Sequence, residues 1–399
     1  MLPLEGVRVL AVEQYGAGPF GTQMLADQGA EVIKVEEPPT DNKPGGDYAR
    51  GLGPHFFENG DSQFYHSFNR NKKSITLDLQ KPEGQALFRE LVKTADAIAS
   101  NSRGDVAEKI GLTYDQLKDV NPRIVCAHLS AYGRTGSRAN WPGFDFLMQA
   151  EAGQFSMTGE PGSPPTRMGV SVIDMATGTA LAFAVAAGVI GARASGHGQD
   201  LDMSLFHMAH MLNTYTSTWY LNAGHVQGRT ARSGHASLVP CQLYRTADGW
   251  LFIMCNKERF WPALCEAIGY GEWAEDPRFK SFRERLQNRE LVQELLDEVL
   301  SEKPTETWLE EFSGVVPAAP VYDLEQALKN PFVAEQNIVQ SVPLARHGGT
   351  AQLIDTPVRT KTPTPARPGP DLGEHNKEVY GALGYDRAGL DKLKKAGVI

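Results

Sequence analysis

The chain has 399 residues, of which 41% are hydrophobic and 22% charged, and its formal net charge is −9. This length and composition predict a globular protein of about two domains, and the acidic balance argues against nucleic-acid and anionic-membrane partners. Four scattered cysteines without a C-x-x-C pair, together with an N-terminus that lacks a signal-peptide pattern, predict reduced thiols, no metal site and a cytoplasmic location.

In the first third of the chain, short apolar strands alternate with helices. The predicted strands span 7–12, 31–36, 74–79, 95–99 and 123–129, and the predicted helices span 19–29, 82–94 and 114–120. Strands separated by helices indicate a mostly parallel sheet that is covered on both faces. We therefore predict an α/β fold.

A glycine-rich turn follows the first strand. Residues 16–21 read GAGPFG, which matches G-x-G-x-x-G, and Glu36 ends the next strand. This pattern is typical of a dinucleotide site, because glycines let backbone N–H groups approach a phosphate at a helix N-terminus. The alternative is a tight strand-to-helix turn without a nicotinamide, and Pro19 removes one donor that a phosphate site would use.

A basic turn precedes the third strand. It reads NRNKKSITLDL and contains Arg70, Lys72 and Lys73, while Lys109 follows a later turn at 102–104. Lysine and arginine pair well with phosphates, so these residues could cradle an anionic cofactor. A solvated basic turn is the alternative.

The remainder of the chain falls into a loop-rich region, a long helix and a second unit. Residues 134–168 are predicted as long loops, and 175–194 as a buried helix packed through small residues rather than a membrane span. A strand is predicted at 199–205, a hairpin at 243–254 with Asp248-Gly249 as its turn, and helices near 260–268, 288–300 and 305–312. The last group indicates a smaller α+β unit.

Asp174 lies between the apolar run 168–173 and the small-residue helix. Near a helix N-terminus the dipole favours an ionised carboxylate, and an ionised, partly desolvated carboxylate can act as a nucleophile. The alternative is an ordinary N-cap aspartate.

Segments along nearly the whole chain resemble the class III (family III) CoA-transferases, the family of formyl-CoA transferase and carnitine CoA-transferase. They read PLEGVRVL, AGPFGTQMLADQGAEVIKVE, NRNKKSITLDL, GFDFLMQAEAG, TGEPGSPPTRMGVSVID, TADGW, GVVPAAPV and LGEHN. The resemblance implies a Rossmann-like large domain plus a smaller α+β domain, in an interlocked, ring-like homodimer. The implied large CoA-binding domain spans 1–213 and 330–399, the small domain 225–325, and the linkers 214–224 and 326–329.

The resemblance also implies the reaction. Coenzyme A would pass from an acyl-CoA donor, with succinyl-CoA as a candidate, to a small carboxylic acid through a covalent aspartyl intermediate on Asp174. Coenzyme A would be substrate and product, with no tightly bound cofactor and no metal. The implied CoA contacts are Tyr15, Gly16, Ala17, Asn69, Lys72, Lys73, Asn101, Ser102 and Lys109. Arg50 and Arg232 are candidates for binding a distal carboxylate of the substrate, and a choice between them requires the three-dimensional structure.

Two departures from the family pattern narrow the predicted substrate and the predicted type of reaction. Formyl-CoA transferase has glutamine at the position of Gly16, and it has a glycine-rich lid where this chain has Asn256 and Lys257, which argues against formyl or oxalate specificity. The related racemases carry G-H-D where this chain reads GFD at 143–145, so one proton shuttle is missing. A racemase or isomerase, a nicotinamide oxidoreductase and a non-catalytic CoA-binding homologue remain as alternatives.

Overall fold

The computed structural model of the chain describes residues 1–58, 60–344, 348–362 and 365–399, and it contains a six-stranded parallel sheet. The strands are β1 (Arg8–Val12), β2 (Glu31–Glu36), β3 (Lys73–Thr76), β4 (Ala97–Ser100), β5 (Val125–Ser130) and β6 (Gln199–Ser204). They pair in the order β3-β2-β1-β4-β5-β6, and every pair is parallel. This is the strand order of a doubly wound sheet. The predicted α/β fold is confirmed.

The strand order fixes where a ligand would bind. The chain runs outward from β1 through β2 to β3, then crosses back so that β4 pairs with the other side of β1. In such sheets, ligands bind beyond the carboxyl ends of the strands at the point where the order reverses. The loops that follow β1 and β4 therefore meet at the expected position of a site.

Eighteen α-helices lie in the described parts of the chain. The first nine are α1 (Ala17–Asp27), α2 (Gln63–Asn69), α3 (Pro82–Val92), α4 (Val106–Lys109), α5 (Tyr114–Leu117), α6 (Asp145–Glu151), α7 (Gln154–Met157), α8 (Val172–Ser195) and α9 (Leu205–Leu212). The others are α10 (Thr214–Ala223), α11 (Phe260–Ala267), α12 (Phe282–Gln287), α13 (Arg289–Leu300), α14 (Thr305–Phe312), α15 (Leu324–Lys329), α16 (Pro331–Glu335), α17 (Asn376–Gly381) and α18 (Arg387–Lys395). Three short 3-10 helices lie at Tyr48–Gly51, Ala231–Ser233 and Gly271–Glu275.

Contacts divide the chain into two units. The first comprises residues 1–152, 169–213 and 334–399, and the second comprises 153–168 and 214–333. The second unit includes the whole segment 225–325, and it also includes 153–168, which sequence patterns did not separate from the large domain. The predicted domain boundaries stay a prediction.

Strands β1 to β5 of the parallel sheet are largely buried, whereas the edge strand β6 is partly exposed. One core cluster joins β1, β4 and β5 to the buried side of α1 and α8, through residues such as Leu181 and Val185. The other cluster packs Leu87, Phe88 and Leu91 of α3 against the opposite face, together with Tyr380 from the C-terminal region. Near-continuous apolar strands are expected in a parallel sheet that is covered on both sides.

The contact between α1 and α8 is unusually close because both helices carry glycine there. A Cβ atom added at Gly21 would lie 2.3 Å from the carbonyl oxygen of Gly178, and one added at Gly178 would lie 2.4 Å from that of Ala17. The predicted packing of the long helix through small residues is confirmed. By length and composition α8 is the one helix among the described residues that could cross a membrane, a test that core helices also pass.

The second unit has its own antiparallel sheet and core. Strands β7 (Cys241–Arg245), β8 (Trp250–Met254) and β9 (Ala318–Pro320) pair in that order, and β7 and β8 form the predicted hairpin around Asp248-Gly249. Its core is rich in aromatic residues, including Trp261, Phe279 and Trp308. In the first unit, β10 (Val339–Pro343) and β11 (Thr350–Ile354) form a separate antiparallel pair.

Several segments predicted as loops or linkers are helical. Helices α6 and α7 lie inside the stretch 134–168, whose overall glycine and proline content concealed the short helix-forming sequence DFLMQAE. The predicted linkers 214–224 and 326–329 lie almost wholly in α10 and α15, and their role as linkers stays a prediction. The α10 sequence, TYTSTWYLNA, contains neither glycine nor proline to interrupt a helix.

Two glycines of α8 allow a matched test of this packing. We expect Gly178→Ala to destabilise the protein by about 1–3 kcal/mol, because the added methyl group overpacks the contact with α1. Gly191→Ala should stabilise by about 0.5–1 kcal/mol, because Gly191 lies in the same helix with nothing within 4 Å of an added Cβ. Thermal unfolding midpoints measure both changes, and equal effects of the two substitutions would contradict the assigned contact.

Candidate active site

A cavity of about 450 Å³ lies in the first unit, where the loops after β1, β4 and β5 meet the start of α8. This is the position that the strand order predicts. Of the residues singled out from the sequence, the cavity is lined by Tyr15, Gly16, Ala17, Asn101, Ser102 and Asp174. Four others, Asn69, Lys72, Lys73 and Lys109, are not part of its lining.

Asp174 is the third residue of α8, and its side chain is 5% exposed. The N-cap of α8 is Ser171, so the interpretation of Asp174 as an N-cap aspartate is wrong. The carboxylate contacts the first glycine of the G-x-G-x-x-G turn, since a Cβ atom added at Gly16 would lie 2.9 Å from Asp174 Oδ2. Only a residue without a side chain brings the backbone this close.

Asp145, at the start of α6, supports Asp174 from the other side. Its Oδ2 accepts the backbone N–H of Asp174 at 2.9 Å, and its Oδ1 accepts from Gln149 Nε2 at 2.5 Å. Asp145 thus takes the capping role at the N-terminus of α8. This role was missed in the sequence because the two residues lie 29 positions apart.

The pKa of Asp174 is higher than its position near a helix N-terminus predicts. Burial and the like charge of Asp145 raise the pKa of Asp174 to about 7, against an ordinary value of 3.8. These effects outweigh the helix dipole, which favours the ionised form. Among the described residues, none donates a hydrogen bond to this carboxylate. Near neutral pH the group is thus divided between its acid and its carboxylate.

The other two glycines of the turn also meet a close neighbour. A Cβ atom added at Gly18 would lie 2.8 Å from the side chain of Asn101, and Gly21 meets α8 as described above. Packing within the protein therefore accounts for each glycine of the pattern. None of these contacts requires a bound dinucleotide.

The acidic residue of the dinucleotide pattern, Glu36, is already hydrogen-bonded within the protein. Glu36 accepts from Arg50 Nη2 at 2.6 Å and Nε at 2.9 Å, and from Ser74 Oγ at 2.6 Å. A nicotinamide site would need this carboxylate for a ribose hydroxyl. Arg50 is consequently held by Glu36, and Arg232 is held by Asp297 at 2.5 Å, so both arginines considered for a distal carboxylate are already in ion pairs.

Asn101 uses its amide to hold the first loop. Its Oδ1 accepts the backbone N–H of Gln14 at 2.9 Å, and its Nδ2 donates to the Gln14 carbonyl at 2.7 Å. The side chain lines the cavity, and at the same time it joins the loop after β4 to the loop after β1. This bidentate contact fixes the two loops at the reversal point of the sheet.

Asn69 and Lys72 contact each other beneath the first loop. Lys72 is buried, and its Nζ donates to Glu13 Oε1 at 2.8 Å, to the Pro19 carbonyl at 2.9 Å and to Asn69 Oδ1 at 3.0 Å. Burial lowers the pKa of Lys72 to about 8, although Glu13 opposes the shift. These contacts engage the polar groups of the N-x-x-K turn, and its role in CoA binding stays a prediction.

The remaining cations lie near the surface. Lys73 pairs with Glu31 at 2.6 Å, and Lys109 pairs with Asp105 at 2.6 Å. Asp105 also contacts Arg103 Nε at 3.2 Å, and Arg103 is the one cationic residue among those that line the cavity. Arg103 was missed as a site residue, although its place in the turn directly after a predicted strand was the available signal.

An aromatic wall completes the cavity. The ring of Tyr15 stacks on that of Tyr48, with centroids 5.1 Å apart and an interplanar angle of 13°, and it meets Phe144 edge-on at 6.4 Å. All three residues line the cavity, and Tyr48 and Phe144 are about half exposed. Tyr48 begins the 3-10 helix Tyr48–Gly51, which is too short to show a recognisable sequence pattern, so no sequence signal identified it.

Known proteins similar to this chain in sequence and in structure were identified by comparison. A family model described as CoA-transferase family III matches residues 4–376. A succinate–glutarate CoA-transferase from Agrobacterium fabrum is 35% identical, with 96% of each chain covered, and a succinyl-CoA:glutarate CoA-transferase from Mus musculus is 32% identical, covering 100% of this chain and 91% of that protein. Among solved structures, a CaiB/BaiF family protein from Brucella suis has a TM-score of 0.80 at 30% identity, covering 96% of this chain and 99% of that chain.

Proposed function

The chain belongs to CoA-transferase family III and is a CoA-transferase, and we propose that it moves coenzyme A between carboxylic acids through a covalent intermediate on Asp174. The observation that carries this proposal is the setting of Asp174. It is a buried carboxylate without a counter-ion among the described residues, it lines a cavity at the reversal point of the sheet, and it contacts the backbone of Gly16.

The first half of the proposed reaction releases the donor acid. The Asp174 carboxylate attacks the carbonyl carbon of the donor thioester, and the C–S bond breaks to give a mixed aspartyl anhydride and the CoA thiolate. The thiolate then attacks the aspartyl carbonyl carbon of the anhydride. The donor carboxylate leaves, and an aspartyl-CoA thioester remains on Asp174.

The second half repeats these steps in reverse with the acceptor. The acceptor carboxylate attacks the aspartyl thioester, which gives a new anhydride and the CoA thiolate. The thiolate attacks the acceptor's carbonyl carbon, so the new acyl-CoA forms and the Asp174 carboxylate leaves unchanged. No water or proton is consumed in the net exchange.

Backbone N–H groups at the start of α1 are suited to stabilise the tetrahedral oxyanions. The first N–H groups of a helix have no acceptor within the helix, and Gly16 and Ala17 line the cavity beside Asp174. One well-placed oxyanion donor contributes roughly 10²–10³ in rate. The absence of a side chain at Gly16 lets this backbone approach the reacting carbonyl group.

The raised pKa of Asp174 suits a nucleophile that must also be regenerated. Burial removes water from the carboxylate, and the like charge of Asp145 makes its ionised form more basic than an exposed aspartate. A more basic carboxylate attacks a thioester more readily, while a pKa of about 7 still leaves much of it ionised at neutral pH.

Arg103 is the proposed contact for an anionic group of the bound thioester. It is the one cation in the described lining of the cavity, and its side chain is 50% exposed. Arginine binds phosphate and carboxylate oxygens with paired N–H groups. Since relatives are named for succinyl-CoA, succinate and glutarate, we propose succinyl-CoA as donor and a small carboxylic acid as acceptor.

A proton-abstracting racemase is less well supported. The position that carries histidine in racemases of the family is Phe144, whose ring forms part of the aromatic wall and has no proton to exchange. Asp174 is the one carboxylate in the described lining of the cavity, and it would have to serve both faces of the substrate.

Substitution of the nucleophile tests the proposal directly. Asp174→Asn keeps the size of the side chain but removes the attacking oxygen anion, so we expect kcat to fall by more than about 10³-fold while CoA binding, measured by calorimetry, is retained. Hydroxylamine treatment after incubation with succinyl-CoA should leave a hydroxamate on the peptide that contains residue 174 in the parent protein alone. Asp202→Asn, which alters a surface carboxylate of β6, serves as control. Normal turnover of Asp174→Asn would exclude the assignment.

The pH profile provides an independent measurement. Because the ionised form of Asp174 attacks, kcat/KM should rise with pH through about 7 in the free enzyme. Asp145→Asn removes the like charge, and its amide oxygen can still accept the N–H of Asp174, so the midpoint should move to lower pH. A midpoint that stays in place after this substitution would show that another group controls the profile.

We propose a homodimer of interlocked chains. On the face of α8 that the first unit does not cover, Phe183 and Ile190 are 74% and 70% exposed, and exposed apolar patches of this kind mark interaction surfaces. Sedimentation should give twice the chain mass of 43.6 kDa, and Phe183→Lys should weaken the association. A parent protein that sediments as a stable monomer would contradict this proposal.

A further inference from the structure

A fully buried lysine lies next to the first loop of the cavity. Lys34, on β2, has a side-chain exposure of 0%, and its Nζ contacts Asp47 Oδ2 at 2.9 Å and the Glu13 carbonyl at 3.1 Å. A charge in the interior is costly unless it is paired and hydrogen-bonded. Lys34 does not line the cavity, so its charge acts on the residues that it contacts.

Asp47 connects Lys34 to the first loop. Its two carboxylate oxygens accept the backbone N–H of Tyr15 at 3.0 and 3.1 Å, and its Oδ1 accepts the N–H of Ala49 at 2.9 Å. Burial alone would raise the pKa of Asp47, but Lys34 and these N–H donors lower it. The carboxylate is therefore ionised and fully occupied within the protein.

Tyr15 needs such a contact because its backbone is in the left-handed region. Its φ is +71°, which costs free energy for any residue with a Cβ atom. The strained conformation sets the direction of the next residue, Gly16, where an added Cβ atom would lie 2.9 Å from Asp174 Oδ2. Relaxation of Tyr15 would move Gly16 away from the reacting group.

The same carboxylate also fixes the aromatic wall. The N–H of Ala49 that Asp47 accepts belongs to the 3-10 helix Tyr48–Gly51, which carries Tyr48. The rings of Tyr15 and Tyr48 are stacked and both line the cavity. One buried side chain therefore holds two separate segments of the cavity in register.

We propose that Lys34 and Asp47 are positioning residues for the transfer reaction: the Lys34 ammonium orients Asp47, and Asp47 holds Tyr15 in its left-handed conformation so that Gly16 lies against Asp174. The inference rests on the proposed role of Asp174. It predicts that loss of this ion pair impairs the rate of the chemical steps more than it impairs folding or CoA binding.

The test compares two buried ion pairs of the same unit. Asp47→Asn turns one carboxylate oxygen into an NH₂ donor, which must face either the Lys34 ammonium or the backbone N–H groups that Asp47 now accepts, and Lys34→Met removes the ammonium. We expect kcat to fall by about 10²-fold in each variant, the effect of a misplacement of about 1 Å, with a smaller change in KM. Asp27→Asn removes a partner from the buried pair of Asp27 and Arg70, which lies outside the cavity, and it should lower the thermal midpoint without changing kcat. If Lys34→Met does not fold, Asp47→Asn alone decides. Normal kcat in a folded Asp47→Asn variant would overturn the inference.

A double-mutant cycle separates positioning from a general loss of stability. Glycine adopts a φ of +71° without strain. In a Tyr15→Gly background, the contact with Asp47 therefore no longer has to offset backbone strain at residue 15. Asp47→Asn should then lower kcat by a smaller factor than it does in the parent protein. Equal factors in the two backgrounds would overturn the inference.

Asp174→Asn, assayed in parallel, keeps the two proposals distinguishable. If that variant is inactive while Asp47→Asn and Lys34→Met turn over normally, the positioning inference alone fails. If Asp174→Asn turns over normally, the proposed function fails first.

Discussion

The site depends on the close approach of the first turns of α1 and α8, which is possible only because glycine lies at the points of contact. Side chains at Gly21 and Gly178 would force the helices apart, and a side chain at Gly16 would collide with the Asp174 carboxylate. The spacing of these glycines imitates a dinucleotide fingerprint, but here it serves helix packing and access to a carboxylate. A backbone pattern of this kind identifies a close approach and does not by itself identify the ligand.

Charge pairing distinguishes two other buried carboxylates of the first unit, Glu36 and Asp47, from Asp174. Burial would raise the pKa of Glu36 and Asp47, yet Arg50 lowers that of Glu36 and Lys34 lowers that of Asp47. Asp174 has no such partner among the described residues, so burial and Asp145 raise its pKa. Pairing thus keeps Glu36 and Asp47 ionised, whereas the proposed nucleophile has no cationic partner among the described residues, at a cost in stability that functional sites commonly carry.

Sequence patterns predicted the strands of the parallel sheet, the small-residue helix and the glycine-rich turn after β1, because each of these is encoded within a short segment. The role of Asp145 was not predictable, since its contact with the N–H of Asp174 arises only when α6 and α8 meet in the fold. Tyr48 was missed for a similar reason: it lines the cavity and stacks on Tyr15, but it belongs to a 3-10 helix of four residues, which is too short to show a periodicity. Local patterns thus indicate elements and turns, whereas contacts between distant segments determine how the site is assembled.

The residues that the family resemblance associates with CoA include some that line the cavity and some that hold the lining in place. Three successive residues of the first loop each have a separate anchor: Glu13 is bound by Lys72, Gln14 by Asn101 and Tyr15 by Asp47. The fourth residue, Gly16, is thereby left against Asp174. A sequence pattern that spans the loop and its anchors can therefore mark a CoA-transferase even where an anchor such as Lys72 is engaged within the protein, because the proposed reaction would depend on the backbone position that the anchors determine.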